Sequence, residues 1–244
     1  MKPTVVCACL LAAGLGLLAA APAARAQRVL TQQFAASTVL LTSGDTLRGP
    51  LTLYADRDVL VVRQPDQSLR TVAAGAVAAF AVHDEQPVTG RFLAAPDYVE
   101  TQPDSARPRV FHSLRWNHGY EYADYCAPAF FEQLSAGPVA LLRRQLVLER
   151  PAALDPLDQA QYTAWLPGAG GPYVALRSQF FLRTPEGKVL ALRCPRRHLL
   201  AYFRAEAAAI ERYARANDLG FQTSQELAAI VGYANALRQR RAPQ

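Results

Sequence analysis

The chain has 244 residues, of which 51% are apolar and 19% charged, with 26 basic residues against 20 acidic ones for a formal charge of +6. So few charges among so many apolar residues exclude a disordered chain and favour a packed core. The basic residues follow no motif and read as dispersed, which argues against nucleic-acid binding.

The first 26 residues have the layout of a secretory signal. Lys2 supplies the positive start, Val5 to Ala21 is apolar, and Ala24-Arg25-Ala26 places small residues at −3 and −1 before Gln27. The apolar run is short for a bilayer span and much of it is Ala and Gly. Cys7 and Cys9 come too early for a lipoprotein cysteine. Cleavage before Gln27 leaves 218 residues carrying +4, and every basic residue among them except Lys188 is arginine. No later stretch is long and apolar enough to span a bilayer. The expected product is therefore periplasmic or secreted, with no transmembrane span after cleavage.

After the signal (1–26), residues 27–36 read as a linker, 37–193 as a β-rich body and 194–244 as a helical C-terminal part. Thr38 to Leu41 is a strand leading into the turn Ser43-Gly44-Asp45. Thr46 to Tyr54 alternates, with a break at Gly49-Pro50 that predicts an edge or a bulge. Val59 to Arg63, Ser68 to Val72 and Ala78 to His83 follow as short strands. Prolines at 87, 96, 103 and 108 break the next stretch. Val110 to Trp116 reads as strand, Ala129 to Leu134 as one helical turn, and Val139 to Leu148 as strand with Arg143 and Arg144 at its centre. Pro151 to Pro172 is rich in Pro and Gly and reads as a long loop. Tyr173 to Arg183 and Lys188 to Arg193 flank Thr184-Pro185-Glu186-Gly187 as a hairpin. Pro195 to Phe203 and Glu206 to Asn217 read as helices, the second stopped at Asn217 to Gly220. Thr223 and Glu226 form a T-x-x-E capping box before an apolar helical stripe at Leu227, Ile230, Val231, Ala234 and Leu237. The tail beyond Leu237 is expected to fray. The fold class is α+β: a mainly antiparallel β body, a meander or small open barrel, with a helical C-terminal part.

Gly44-Asp45-Thr46-Leu47 differs by one hydroxyl-bearing residue from Gly-Asp-Ser-Leu, the nucleophile motif of a family of secreted esterases. The chemistry does not transfer. The Thr46 methyl hinders its hydroxyl, strand-like alternation follows where those enzymes have a helix, and no histidine has an acid three positions before it. Gly44 and Asp45 are expected to shape a turn, and Thr46 to begin the returning strand.

Other constellations are incomplete. His112, His118 and Cys126 match no zinc spacing, Asp56-Arg57-Asp58 lacks the rest of a calcium loop, and Gly168 to Gly171 lacks the context of a phosphate loop. No metal and no cofactor is expected. Cys126 and Cys194 remain after signal removal; in an oxidising compartment a disulfide fits them, and so does a pair of unjoined core thiols. Trp116 to Phe131 is the most aromatic stretch of the chain. Trp116, Tyr120, Tyr122 and Tyr125 form a candidate binding surface for a sugar or an extended peptide, the alternative being that they cap the core beside Phe130 and Phe131.

On Gly44, Asp45, Thr46, Leu47 and Gly49, and on Phe180-Phe181-Leu182 leading to Gly187-Lys188 and a helical close, the chain resembles a loose group of exported Gram-negative bacterial proteins. Their common layout is an N-terminal G-D-T-L-x-G hairpin after a signal. The resemblance implies no activity and assigns no functional residue. The expected function is a non-enzymatic binding or structural module of the cell envelope, whose partner is an envelope protein or a polysaccharide. The alternative is a periplasmic hydrolase using His112, His118 and Asp124.

Overall fold

A computed structural model describes residues 31–86, 108–119, 125–150 and 173–241. Residues 1–30, 87–107, 120–124, 151–172 and 242–244 lie outside the described residues, and with them the expected signal and the long loop expected at 151–172. Eleven strands and three helices appear in chain order: β1 (Thr31–Leu41), β2 (Thr46–Arg48), β3 (Leu51–Tyr54), β4 (Val59–Arg63), β5 (Leu69–Ala73), β6 (Val77–Gln86), β7 (Arg109–Trp116), β8 (Ala127–Gln133), β9 (Ala140–Arg150), β10 (Tyr173–Arg183), β11 (Val189–Ala191), α1 (Pro195–Tyr202), α2 (Ala207–Ala216) and α3 (Ser224–Arg241). One antiparallel open sheet runs β11-β10-β9-β8-β7-β6-β1-β3-β4-β5, with β2 also paired to β1. The chain is α+β, with a meandering sheet and a helical close.

β1 begins at Thr31, inside the stretch that reads as a linker. Gln32 and Gln33 conceal it, because polar residues at a strand start look like loop. Gln32 is nevertheless buried, its side-chain amide donating to the Gln145 carbonyl oxygen. The inward positions of β1 change phase, from Gln32 and Phe34 to Ser37, Val39 and Leu41. The cause lies in the pairing with β2 and β3. β2 pairs Leu40 with Thr46 whereas β3 pairs Phe34 with Leu51, so the register slips by one residue, with Ala35 and Ala36 of β1 standing opposite Pro50. The expected bulge therefore lies on β1 and not in the Gly49-Pro50 strand itself, and it gives Pro50 a place without a ladder donor. Gly49 there has φ +144 and lies against the backbone of Arg63.

The turn before β2 is the one expected. Gly44 has φ +92, its N–H donates to Leu41 O at 3.0 Å, and Leu41 N–H donates to Asp45 O at 2.9 Å. The Asp45 side chain accepts from the Ser43 hydroxyl at 2.8 Å rather than from the backbone. Thr46 is exposed at the start of β2.

β8 replaces the helical turn expected at Ala129 to Leu134. Two adjacent phenylalanines explain the difference. Phe130 joins the core formed by β1 to β7, with Phe80 at 5.2 Å, while Phe131 joins a second core with Ala140, Leu142 and Phe181. Successive side chains reach opposite faces only in a strand. A third core lies between β9–β10 and the helices, where Leu141, Phe180 and Leu182 meet Leu199, Phe203, Ile210, Ile230 and Val231.

The capping box closes as read: the Thr223 N–H donates to Glu226 Oε2 at 3.1 Å and the Glu226 N–H to Thr223 Oγ1 at 3.3 Å. α3 continues to Arg241, past the point where fraying was expected. α2 ends with Asp218, not Gly220, in the left-handed region at φ 52. α3 is tied to the sheet by Asn235, which is buried and accepts from Val139 N–H at 3.2 Å while donating to Val139 O at 2.8 Å. Asn235→Ala leaves both backbone groups without that partner. We expect a loss of about 2–3 kcal/mol in urea unfolding; an unchanged midpoint would show that the amide does not anchor α3.

Candidate functional site

Two polar or aromatic groupings stand out, and both centre on β7 and β8. The first begins at Trp116, the last residue of β7. Its indole meets Phe131 at 5.7 Å and Phe181 at 5.2 Å, both nearly perpendicular. The Arg144 guanidinium lies 5.4 Å from the same ring. Trp116 is therefore held by the second core. It caps Phe131, as one alternative had it, but Phe130 faces the other side of the sheet.

Beyond Trp116 the chain turns sharply. His118 has φ 54 and Gly119 φ 84, and Asn117 Oδ1 accepts from Gly119 N–H at 3.1 Å. The turn brings the His118 ring to 5.0 Å from Trp116, and Tyr125 lies 6.0 Å from His118, both pairs tilted. Tyr125 is 60% exposed. The result is a chain of three contacting rings from the second core to the surface, its inner end held by Phe131 and Phe181. Tyr120 and Tyr122 lie outside the described residues. His118 belongs to this chain of rings although it does not read as aromatic surface in the sequence. Its only local signal is the Asn-His-Gly turn that returns it to the tryptophan.

The hydrolase set is not gathered by the described residues. His112 lies four strand positions before Trp116, about 13 Å along β7, and pairs across to Phe131. Burial first, and the positive Arg183 second, hold His112 below its usual histidine range, with the Gln133 side chain acting the other way. Asp124 lies outside the described residues. Thr46, in its exposed turn, is far along the sheet from either histidine: β1 and β6 separate β2 from β7. Among the described residues, no three His, Cys, Asp or Glu side chains cluster as a metal site. Cys126 and Cys194 are free thiols and both exposed, so the disulfide alternative gives way to separate thiols. One leads into β8 and the other precedes α1, each outside the buried cores.

The second grouping lies where β8 and β9 part. Only Glu132–Arg143 and Gln133–Leu142 are in register between them, against seven pairs for β7–β8. Short of Glu132, the β3–β4 turn fills the fork. Asp58 Oδ1 accepts from Phe130 N–H at 2.7 Å, and Arg144 Nη1 donates to Phe130 O at 2.9 Å and to Asp58 Oδ1 at 2.8 Å. This ion pair thus takes the place of the missing strand and satisfies a backbone position that burial would otherwise penalise. On the opposite face of β9, Arg143 reaches Glu132 at 2.8 Å, and Arg109 of β7 binds the same carboxylate with Nε at 2.8 Å and Nη2 at 2.9 Å. Burial pushes the Glu132 carboxyl up, but the two guanidiniums outweigh it and hold it below the ordinary carboxylate value.

These side chains, with Gln32 and Gln145, line a hollow of about 20 Å³. A small-molecule site occupies about 300–1,000 Å³, and one water needs about 10–15 Å³. The hollow is thus about the size of one water, and the cluster holds the halves of the sheet together.

No protein family, curated protein or solved structure matches this chain. Among the described residues, no helix is long and apolar enough to cross a membrane. The functional reading therefore rests on the chain's own geometry.

Proposed function

We propose that the chain is an exported protein of the cell envelope, periplasmic or secreted, that works as a non-enzymatic binding module. Its contact surface is the chain of rings at the end of β7, and its partner is an envelope polysaccharide or protein. The observation that supports this reading is Tyr125, 60% exposed yet backed by His118 and by a tryptophan packed into the core. A ring fixed from behind presents an apolar face and a polar tip at small entropic cost, which suits stacking on sugar rings or gripping an extended segment. The charged side chains nearby pair within the sheet and hold the fold, leaving the rings as the chemically open element of this region.

The test is retention of the processed protein on insoluble peptidoglycan and on other envelope polysaccharides. Tyr125→Ala removes an exposed ring, so its unfolding midpoint is expected to stay within about 0.5 kcal/mol of the parent. Retention is expected to fall about tenfold or more, as for an aromatic contact at the centre of an interface. Equal retention of parent and variant on every matrix that binds the parent would overturn the assignment of this surface.

A further inference from the structure

The basic residues that read as dispersed along the sequence are segregated in the fold. Between Arg193 and Arg241 the chain carries nine arginines and four acids, an excess of five. From Gln27 to Leu192 it carries fifteen basic residues and sixteen acids. The whole positive excess of the processed chain therefore lies in the helical layer on β9–β10.

Seven of the nine arginines are exposed, whereas Arg238 is half-buried against Tyr202, Phe203 and Glu206. α1, α2 and α3 bury Leu199, Ile210 and Ala214, and Leu227, Ile230, Val231 and Ala234 against the sheet. Arg197 lies two residues before Leu199, and Arg212 two residues from both Ile210 and Ala214, about 200° around the helix from the buried stripe. Arg215 lies about 140° from Ile210. All three are exposed, as are Arg193, Arg196, Arg204 and Arg240. Arg196 pairs with Glu211 at 2.9 Å, whereas no ion pair holds Arg204, Arg212 or Arg240 among the described residues.

We infer that the outer side of this helical layer docks on a membrane surface of anionic, phosphate-bearing lipid headgroups. Charge complementarity supplies the attraction, and guanidinium forks match phosphate oxygens. The rest of the face selects among polyanions. Its outward positions between the arginines are small, at Ala201, Ala208 and Ala216, all exposed. Among the described residues, the exposed large apolar ones, Leu40, Leu69, Tyr125 and Leu190, all lie outside the helices. Among the described residues the layer offers no fully exposed ring of the kind that stacks bases or sugars, its stacked pair Tyr213 and Tyr233 being half-buried, and no wedge for the acyl region. It presents spaced point charges, which suits a laterally mobile field of headgroups and predicts peripheral attachment without insertion.

The test uses the chain from Gln27, which contains every described element, with vesicles of phosphatidylcholine alone or mixed with phosphatidylglycerol. The parent is expected to co-sediment with the mixed vesicles only and to be released by salt. Replacing Arg197, Arg212 and Arg215 together by Gln is expected to weaken binding about fivefold per arginine, or about a hundredfold. An equal loss of charge on the sheet, Arg48→Gln with Arg57→Gln and Arg70→Gln, is expected to leave binding within about twofold, since those residues lie away from the docking face. Circular dichroism and thermal unfolding confirm that both triple variants stay folded. Tyr125→Ala is expected to bind vesicles like the parent, so this proposal and the ring-surface reading fail independently. The inference is overturned by equal binding to phosphatidylcholine alone, by binding that salt does not weaken, or by equal losses in the two triple variants. Binding to RNA or an anionic polysaccharide without binding to mixed vesicles would assign the arginines to another polyanion and likewise overturn it.

Discussion

Glu132→Ala is expected to lower the free energy of unfolding by about 3–5 kcal/mol at pH 7, measured by urea titration. One carboxylate holds two guanidiniums, Arg109 and Arg143, whose side chains are 11% and 4% exposed. Removing it leaves two largely buried cations facing one another. Glu132→Gln keeps the size and some donor–acceptor contact, so its loss should be large but smaller. The pH dependence follows from the depressed carboxyl. In the folded chain Glu132 titrates below its ordinary value of 4.5. Its contribution is therefore complete above that value and is lost as pH falls through the lower, folded value. The parent should lose stability over this acid range, and Glu132→Gln should lack that part of the slope. Equal acid sensitivity in both chains would remove Glu132 from the account.

Gly49→Ala carries the second large effect, about 2–5 kcal/mol by the same measurement. A Cβ at Gly49 would stand 2.1 Å from Arg63 O, and the backbone has φ +144. The conformational part amounts to about 1–2 kcal/mol. Forced displacement in a packed site adds about 1–3 kcal/mol. The opposing atom is backbone carbonyl, held in the β4 end by Arg63 N–H donating to Pro50 O at 2.9 Å, so it has no side-chain freedom to move aside. Gly44→Ala is the control. Its φ is +92, yet nothing lies within 4 Å of a Cβ there. Only the conformational part of about 1–2 kcal/mol applies. Equal costs at the two glycines would show that the close approach of Arg63 to Gly49 is not rigid.

The elements that rest on local chemistry are legible in the sequence. The Gly44 turn, the 184–187 hairpin and the Thr223–Glu226 box each depend on residues within a few positions of one another, and each forms as read. β8 is not legible, because two adjacent phenylalanines at a Pro-containing start fit a helical turn until two separate cores are known to exist. The buried charges were half legible. Arg143 and Arg144 at the centre of an apolar strand demand acidic partners, but Asp58 lies 86 positions from Arg144, beyond the reach of any spacing argument. Of the candidate surface, Trp116 and Tyr125 were legible as amphipathic rings. The inward commitment of the first and the outward one of the second depend on Phe131 and Phe181, which only the folded sheet brings to the same place. The grouping of arginines is not legible, because a helical layer compresses the stretch from Arg193 to Arg241 into one side of the molecule.

The fork between β8 and β9 also divides the molecule into two mechanical neighbours. Across it the main-chain connection narrows to two registered residue pairs and the Leu134 N–H to Leu141 O bond beside them, supplemented by a guanidinium and a carboxylate that stand in for peptide groups. Side-chain ions shear more readily than a continuous ladder, and their attraction depends on water staying out. Once solvent enters the cleft, what still joins the early strands to the helix-backed ones is the second core, in which Trp116 and Phe131 pack against Leu142 and Phe181. Such a seam is where a pulling force or a partial denaturant would first part the chain into two cooperative units.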